Sequence, residues 1–445
     1  MSTAHEPGLW KRGILWLLVL APLFFISYNF ANRFTSQRED VGSLVFSWEQ
    51  QIPLWPWTII PYWSIDLLYG LSFLLPCCRR EMDRHGLRLI AAQLICITCF
   101  MLWPLRYAFE RPALDGVFGA LFDLLMGFDK PFNQAPSLHI TLLVIIWAMF
   151  SNHIRTSWLR GLLHAWMMLI GVSVLTTWQH HFIDIPTGFL TGFFCLWLFP
   201  LRGKTPLQFM RLTHNPLRWR LALRYSLGAL FCTAVAVSLH GGWLWLFWPA
   251  TSLALVAANY LLIGAAGFQK QSDGHLSPAA TTLLAPYLIG AWINSRLWTS
   301  RQPATSHIVD NIYLGRLPSA GELGGFAALV DLCAELPVHD IPSAYSSLPS
   351  LDLIAPDRDT CWHAARAIER LRRNGPLLVC CALGYSRSAT AVAAWLLHSG
   401  RCSTPDSAIA VIRQARPQIV LSPQHLAALQ EMLEAPSSSV TTHAG

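Results

Sequence analysis

Charged residues are scarce in this sequence. They make up 13% of its 445 residues, whereas hydrophobic residues make up 53%. Soluble domains usually carry about 25% charged residues. The composition therefore excludes a protein that is soluble throughout its length.

Paired cysteine spacing is missing as well. The eleven cysteines are scattered along the chain, without the spacing that is typical of a zinc site or of a secreted disulfide framework. No motif of a nucleic-acid-binding module occurs. We therefore predict no metal site, no cofactor and no nucleic acid partner.

Long apolar stretches occur before residue 266 and are missing after about residue 300. A helix that crosses a bilayer needs about 20 mostly apolar residues. The sequence therefore predicts a polytopic α-helical membrane domain over residues 1–265. Its eight predicted spans are residues 13–32, 53–76, 87–105, 139–154, 158–178, 182–201, 221–241 and 243–265.

Arginine and lysine collect before the first predicted span and in the loops after the second, fourth and sixth. Short loops rich in these residues stay in the cytoplasm. We therefore expect a multi-pass protein of a cell inner membrane with its C-terminal domain in the cytoplasm. The net charge of +7 is mostly this excess, which suits contact with anionic lipid.

A shorter apolar patch at residues 283–293 follows the eighth span. About eleven residues are too few to cross a bilayer comfortably, so residues 266–304 are predicted to be an interfacial linker. A ninth crossing at this patch is the alternative, and it would place everything after it outside.

Short apolar runs alternate with helical patterns from residue 307 onward, which indicates an α/β domain. We predict this domain over residues 305–435 and a disordered tail over 436–445. Predicted strands lie at residues 312–314, 328–332 and 377–379, and predicted helices at residues 360–374, 388–398 and 406–415.

The segment at residues 377–388 combines a buried strand, a tight turn and a helix. Backbone N–H groups of such a turn, together with the helix N-terminus, form a cradle for an anion such as phosphate. Cys381 at its base would be a nucleophile whose thiolate these groups stabilise. Arg387 would hold two phosphate oxygens. The turn consists of Ala382, Leu383, Gly384, Tyr385 and Ser386.

The spacing Cys381-x5-Arg387, followed by Ser388, resembles the signature of the protein tyrosine and dual-specificity phosphatases, and residues 384–388 resemble the dual-specificity branch. The resemblance covers about residues 305–433, and residues 308–315 look like the opening strand of that family. It implies a phosphatase fold with a central, mostly parallel sheet. It also implies that Ser388 hydrogen-bonds the thiolate and assists its departure.

The same resemblance implies a proton-donating aspartate about 30 residues before the cysteine. Asp352 fits that place, and Asp357 and Asp359 are alternatives on the same loop. The sequence departs from the family at Cys380, where a histidine usually stands. We interpret Cys380 as a core residue at the end of a strand.

A second set of ionisable residues lies at the predicted outer ends of the membrane helices. Such groups are costly there unless they serve a site or pair with one another. His180 and Asp184 are one helical turn apart, so the carboxylate can orient the imidazole for attack on phosphorus. His139 would protonate the leaving alcohol. Phosphate oxygens would be held by Ser137, Arg106 and Arg111.

These elements resemble the three motifs of the type 2 phosphatidic acid phosphatases (PAP2) over about residues 50–201. The match is partial: the lysine before Arg111-Pro112 is absent, Leu138 replaces a glycine, and Val174 stands where the family has arginine. Arg106 and Lys130 would compensate. The departures resemble a subgroup of lipid phosphotransferases, so transfer to another alcohol stays open beside hydrolysis.

Together the two parts resemble bacterial inner-membrane fusions of a PAP2-like domain with a dual-specificity phosphatase domain. We predict a membrane phosphatase that acts on lipids with phosphate head groups, with one site on each side of the membrane. One alternative is a phosphoprotein phosphatase whose membrane part transfers a lipid head group. In a third, one half has lost activity and serves as a lipid-sensing anchor.

Overall fold

The computed structural model describes residues 6–434, so the predicted tail at residues 436–445 lies outside the described residues. The chain divides into two units, Met1–Thr205 and Pro206–Gly445. The predicted domain boundary at residue 265 therefore falls inside the second unit. The last two predicted spans belong with the α/β domain.

The first unit is helical. Tyr62, Phe122, Leu143 and Met167 pack into a buried core that joins the second, fourth, fifth and sixth helices. The helices of this unit are α1 (Leu9–Ser36), α2 (Ile59–Leu71), α3 (Arg79–Leu102), α4 (Gly116–Phe128), α5 (Leu138–His153), α6 (Ser157–Thr176) and α7 (Asp184–Leu198).

Among the described residues, five helical segments are long and apolar enough to cross a membrane. They are Leu9–Ser36, Arg79–Leu102, Ser157–Thr176, Pro216–Leu239 and Gly241–Phe268. Each of the eight predicted spans coincides with helical structure. However, α2, α5 and α7 have only 13, 16 and 15 residues, so the count of eight stays a prediction.

The second unit begins with a helical hairpin and a third helix. The hairpin is α8 (Pro216–Leu239) and α9 (Phe247–Ala258), which continues as a π-helical turn at Asn259–Ile263. The third helix is α10 (Pro278–Thr299). Asn215 and Ser277 cap α8 and α10 by accepting from backbone N–H groups of their first turns.

A five-stranded mixed sheet follows, in the order β1-β2-β5-β3-β4. All neighbouring strands are parallel except β1 and β2. Every residue of β3 and β5 is buried, as is usual for central strands of a parallel sheet, and the one charged residue in them, Asp331, is paired with Lys270. The strands are β1 (Thr305–Val309), β2 (Ile312–Arg316), β3 (Ala328–Cys333), β4 (Ala344–Ser350) and β5 (Leu377–Cys381).

Four helices cover one face of the sheet: α11 (Arg358–Leu371), α12 (Arg387–His398), α13 (Pro405–Ala415) and α14 (Pro423–Glu434). The three predicted strands and three predicted helices of this domain are confirmed. The predicted opening strand at residues 308–315 is instead a hairpin, because Asp310 takes a left-handed φ of 50° and the chain reverses there. β4 and α14 were not predicted.

On the other face of the sheet lies a second buried core, which α10 contacts through Ala291. Ala291 lies against a buried cluster that includes Leu317, Leu378, Cys380 and Ala382. The segment predicted to be an interfacial linker therefore contains a 22-residue helix that belongs to the α/β fold. Because residue 291 packs on the sheet, the alternative of a ninth crossing at residues 283–293 does not fit this packing.

Candidate active sites

The turn between β5 and α12 lies at the carboxyl end of the central strand. Gly384 in this turn has a φ of 72°, a conformation that favours glycine. A Cβ atom there would lie 2.5 Å from the carbonyl carbon and oxygen of Gly315 on β2. Glycine is therefore required both by the backbone conformation and by the close approach of the neighbouring strand.

Cys381 is only 2% exposed and lies at the base of this turn. The backbone N–H of Gly384 donates to its Sγ over 3.3 Å. Ser388, in the first turn of α12, has its Oγ 3.2 Å from the same sulfur. The structure thus brings together the predicted nucleophile, the predicted cradle and the predicted hydroxyl partner.

Arg387 begins α12, and its guanidinium is buried against Glu335. Nη2 donates to Oε1 over 2.6 Å and Nη1 donates to Oε2 over 2.9 Å. Burial alone would lower the pKa of Arg387 and raise that of Glu335, but their mutual attraction outweighs it. Both groups are therefore held charged.

The prediction that Arg387 holds two phosphate oxygens is not met directly, because Nη1 and Nη2 already donate to protein oxygens. Nη1 also donates to the carbonyl oxygen of Ser350, and Nη2 also donates to Asp352. Of the three guanidinium nitrogens of Arg387, only Nε has no hydrogen-bond partner within the described residues 6–434, and it is buried. A phosphate oxygen can therefore bind Nε directly, whereas a second contact requires Asp352 to release Nη2.

Asp352 follows β4, and its Oδ1 lies 2.9 Å from Nη2 of Arg387. Burial raises the pKa of this carboxyl; Arg387 opposes the increase and Glu335 adds to it. A raised pKa suits a proton donor. The alternatives do not reach the turn: Asp357 accepts from the backbone N–H of Thr360 at the start of α11, and Asp359 is exposed.

Glu335 was missed by sequence reasoning. It stands two residues after β3, which lies beside β5 in the sheet. Carboxyl ends of parallel strands meet at one edge, so an acidic residue two positions after a buried strand was the available signal. Its partner is 52 residues away in the chain, and no local spacing connects the two.

Cys380 occupies the place of the usual histidine. It faces the second core, which is the buried cluster that includes Leu317, Leu378 and Ala382. Its thiol donates to Oδ1 of Asp331 over 3.8 Å, and burial raises its pKa well above the ordinary value. It is therefore a neutral core thiol, as predicted. Asp331 is also paired with Lys270, whose ammonium donates to the carbonyl oxygens of Cys333 and Leu336 as well.

Helices of the second unit contact the catalytic segments directly. Ser295 of α10 donates to the carbonyl oxygen of Ala382 over 2.6 Å. The hydroxyl of Tyr385 donates to the carbonyl oxygen of Trp298 over 2.9 Å. Tyr260, in the π-helical turn, donates to the carbonyl oxygen of Asp352 over 3.0 Å. The phosphate-binding turn and the aspartate loop are thus both attached to these helices.

In the first unit, the structure joins three of the predicted residues in one chain of contacts. Nδ1 of His180 lies 3.0 Å from Oδ2 of Asp184. Nε2 of the same ring lies 3.2 Å from Oγ of Ser137. All three are buried. The carboxylate thus orients the imidazole, as predicted, but not across one turn of a helix: α7 begins only at Asp184, and His180 lies in the segment before it. The ring reaches the helix that begins after Ser137.

The other predicted residues of this set, all within the described residues 6–434, form no hydrogen bond with the side chains of His180, Asp184 or Ser137. His139 stacks on Tyr62 with ring centroids 4.2 Å apart, and its Nε2 is buried without a hydrogen-bond partner in the described part of the chain. Arg111 donates to the carbonyl oxygens of Thr177 and Trp178, three and two residues before His180. Arg106 and Lys130 are exposed.

Comparisons with known proteins assign the C-terminal part. Residues 362–434 match the family model "Dual specificity phosphatase, catalytic domain". No curated protein matches the chain.

Several solved structures are similar to the same region. The crystal structure of human DUSP28 has 26% identity and a TM-score of 0.28, and covers 30% of this chain and 97% of that one. Tk-PTP in the active form has 27% identity and a TM-score of 0.27, with coverage of 30% and 99%. PTPMT1 in complex with PI(5)P has 21% identity and a TM-score of 0.25, with coverage of 28% and 93%. The family match shows that the C-terminal part of this chain carries a dual-specificity phosphatase catalytic domain, over residues 362–434.

Proposed function

We propose that this protein is a membrane phosphatase that hydrolyses phosphate monoesters of lipids at Cys381. The observation that carries the proposal is the hydrogen bond from Ser295 to Ala382, which attaches the phosphate-binding turn to α10. The phosphatase chemistry belongs to the catalytic domain. The lipid substrate is inferred from what α10 exposes.

The first step forms a bond between sulfur and phosphorus. The Cys381 thiolate attacks the phosphate, while the turn N–H groups and Nε of Arg387 bind its oxygens. The phosphorus–oxygen bond to the alcohol breaks, and Asp352 gives its proton to the departing oxygen. Before this transfer the Asp352 carboxyl is neutral and competes less for Nη2 of Arg387, which can then take a second phosphate oxygen.

The second step releases phosphate. Water attacks the phosphocysteine, the carboxylate of Asp352 accepts a proton from it, and the phosphorus–sulfur bond breaks. The hydroxyl of Ser388, 3.2 Å from the sulfur, stabilises the departing thiolate by donating a hydrogen bond. The enzyme returns to its starting protonation state, with the aspartate protonated and the cysteine ionised.

The lipid assignment is supported by the exposed side of α10. Contiguous exposed apolar surface marks a site of protein or membrane contact, and tryptophan favours the membrane–water interface. Ser295, on the same helix, holds the catalytic turn. The large apolar residues exposed on α10 are Ile289, Trp292, Ile293, Leu297 and Trp298.

The proposal includes a cytoplasmic catalytic domain. The arginine-rich loops support this orientation, and a catalytic thiolate suits the reducing cytoplasm.

For the first unit we propose a second, PAP2-like site, in which His180 attacks phosphorus and Asp184 orients it. The contacts of His180 with Ser137 and Asp184 favour this assignment. Hydrolysis and transfer to another alcohol are both compatible with them.

The test is phosphate release by the purified full chain in mixed micelles. Substrates are phosphatidate, phosphatidylglycerophosphate, a phosphoinositide and a phosphotyrosine peptide. We expect Cys381→Ser to abolish release from at least one lipid, because serine lacks the acidity and nucleophilicity of the thiol. Cys380→Ser is the matched control: its side chain faces Asp331, and it should retain activity.

Two outcomes would overturn parts of the proposal. If Cys381→Ser retains every activity, the catalytic assignment is wrong. If wild-type protein uses only the peptide, the enzyme is a phosphoprotein phosphatase, and the lipid assignment is wrong.

A further inference from the structure

Three side chains with metal-ligating atoms meet in the first unit, away from both sites described above. Cys77 directly precedes the residue that caps α3, Glu81 lies in the first turn of α3, and His153 is the last residue of α5. Their candidate ligand atoms all lie within 4.8 Å of one another. We propose that Cys77, Glu81 and His153 bind a zinc ion that fastens the end of α5 to the start of α3.

The spacing of the ligand atoms suits a single ion. Nε2 of His153 lies 3.4 Å from Oε1 of Glu81. Tetrahedral zinc with bonds of about 2.0–2.3 Å places its ligand atoms roughly 3.3–3.8 Å apart. The imidazole and the carboxylate already have this spacing, and the Cys77 sulfur lies within 4.8 Å of both.

The orientation of the histidine ring also suits a ligand. Nδ1 of His153 lies 2.9 Å from the carbonyl oxygen of Met149, which fixes Nδ1 as the protonated nitrogen and leaves Nε2 as the acceptor. Metal-binding histidines characteristically donate their other ring nitrogen to such an oxygen. The backbone N–H of Cys77 donates to Oε2 of Glu81 over 2.9 Å, which orients the carboxylate in turn.

The donor set selects the metal. One thiolate, one imidazole and one carboxylate suit zinc better than magnesium or calcium, which prefer oxygen ligands. His153 and Glu81 remain 18% and 16% exposed, so solvent can supply a fourth ligand. The Cys77 thiol lies 3.9 Å from the carbonyl oxygen of Leu75, to which it donates, and zinc binding would replace this weak contact when the thiol loses its proton.

The cysteine spacing predicted no metal site, because the ligands come from two helices that are far apart in the chain. α5 has 16 residues, so at 1.5 Å per residue His153 lies about 24 Å along the helix from Ser137 at the other end. We infer a structural role: the ion fixes α5, which carries His139, without taking part in chemistry.

The test uses the full chain, purified in detergent without a polyhistidine tag, stripped with EDTA and then given Zn²⁺ alone. We expect one zinc per chain after gel filtration, a higher unfolding temperature with zinc, and a sulfur-to-cobalt charge-transfer band when Co²⁺ replaces zinc. Cys77→Ser and His153→Gln should lose these effects. In both variants we expect the zinc affinity to fall by at least roughly 10- to 100-fold, because that is the cost of losing even a contact that only supports a ligand.

Cys78→Ser is the matched control, because Cys78 is adjacent and similarly half-buried; it should bind zinc like wild type. Wild-type protein that binds no zinc, or Co²⁺ bound without the sulfur band, would overturn the proposal. So would equal zinc retention by Cys77→Ser. Because the cobalt spectrum is recorded on wild-type protein, a variant that fails to fold does not spare the proposal from this test.

Discussion

Cys380 and Cys381 are neighbours in the chain, but their surroundings give them different chemistry. The Cys380 thiol packs under the sheet beside Asp331, and burial raises its pKa. The Cys381 sulfur instead meets a backbone N–H and the Ser388 hydroxyl at the start of a helix. Reactivity at this pair therefore depends on the turn between β5 and α12 rather than on residue type.

Asp352→Asn tests the proton donor. We expect kcat to fall about 10²- to 10⁴-fold for a substrate with a poor leaving group, and much less for an aryl phosphate that needs no protonation. The raised pKa of Asp352 keeps the acid protonated to higher pH, and activity declines once the pH exceeds that pKa. The variant should therefore lose the alkaline limb of the pH profile of kcat.

Asp359→Asn is the control for that measurement, because Asp359 is exposed on α11. It should keep both the rate and the pH profile. An Asp352→Asn variant that retains the alkaline limb would assign the proton donor elsewhere.

Much of the catalytic site was predictable at the residue scale because it is local. Cys381, Arg387 and Ser388 lie within eight consecutive residues, so one turn determines their positions. Asp352 required a family resemblance as well. Glu335 was not predictable from spacing, since only the pairing of β3 with β5 brings it to Arg387.

At the scale of elements, the loop after β3 is fixed by contacts with the buried ammonium of Lys270. This ammonium pairs with Asp331 and donates to the carbonyl oxygens of Cys333 and Leu336, on either side of Glu335. Burial alone would lower the pKa of Lys270, but Asp331 outweighs it and the pKa is raised. Lys270 therefore stays charged and positions the loop that holds Arg387.

Lys270→Met should destabilise the folded protein by about 3–5 kcal/mol, because it leaves the buried Asp331 carboxylate without its cation. It should also raise KM, since Glu335 no longer fixes Arg387 as firmly. Thermal unfolding and steady-state kinetics measure the two effects.

The double variant Lys270→Met/Asp331→Asn is the control for charge burial. It should recover part of the stability but not KM, because the two carbonyl contacts remain absent. A single variant with wild-type stability and KM would show that Lys270 does not position the loop.

Prediction of elements succeeded where a segment carries its own pattern. β5 is a continuous apolar run, β3 is apolar except for Asp331, and α13 begins with Pro405 after the capping residue Thr404. α10 was missed as part of the fold because its burial comes from Ala291 against the sheet and from α9. β4 was missed because its residues are only half-buried, so no apolar run marks it.

At the scale of the whole molecule, each unit carries one candidate phosphate site. In the double variant Cys381→Ser/His180→Ala, we expect the loss of any lipid dephosphorylation that remains in Cys381→Ser. His180→Ala alone should keep hydrolysis of a soluble aryl phosphate, because that reaction uses only the catalytic domain. Phosphate release and transfer to an added alcohol are measured in parallel.

Asp184→Asn is a milder companion variant, because it disturbs the orientation of His180 without removing the ring. It should weaken the same residual activity. If the double variant retains everything that Cys381→Ser retains, the first unit has no phosphatase or transferase activity on these lipids.

The packing of α10 on the sheet also bears on proteolysis. A cut in the segment between Thr299 and Thr305 would break the covalent link to Ser295 and Ala291, but not their contacts with the catalytic turn and with the second core. The severed helix stays bound by those contacts rather than by the peptide bond. Proteolytic shedding of an active, freely diffusing phosphatase from this protein is therefore disfavoured.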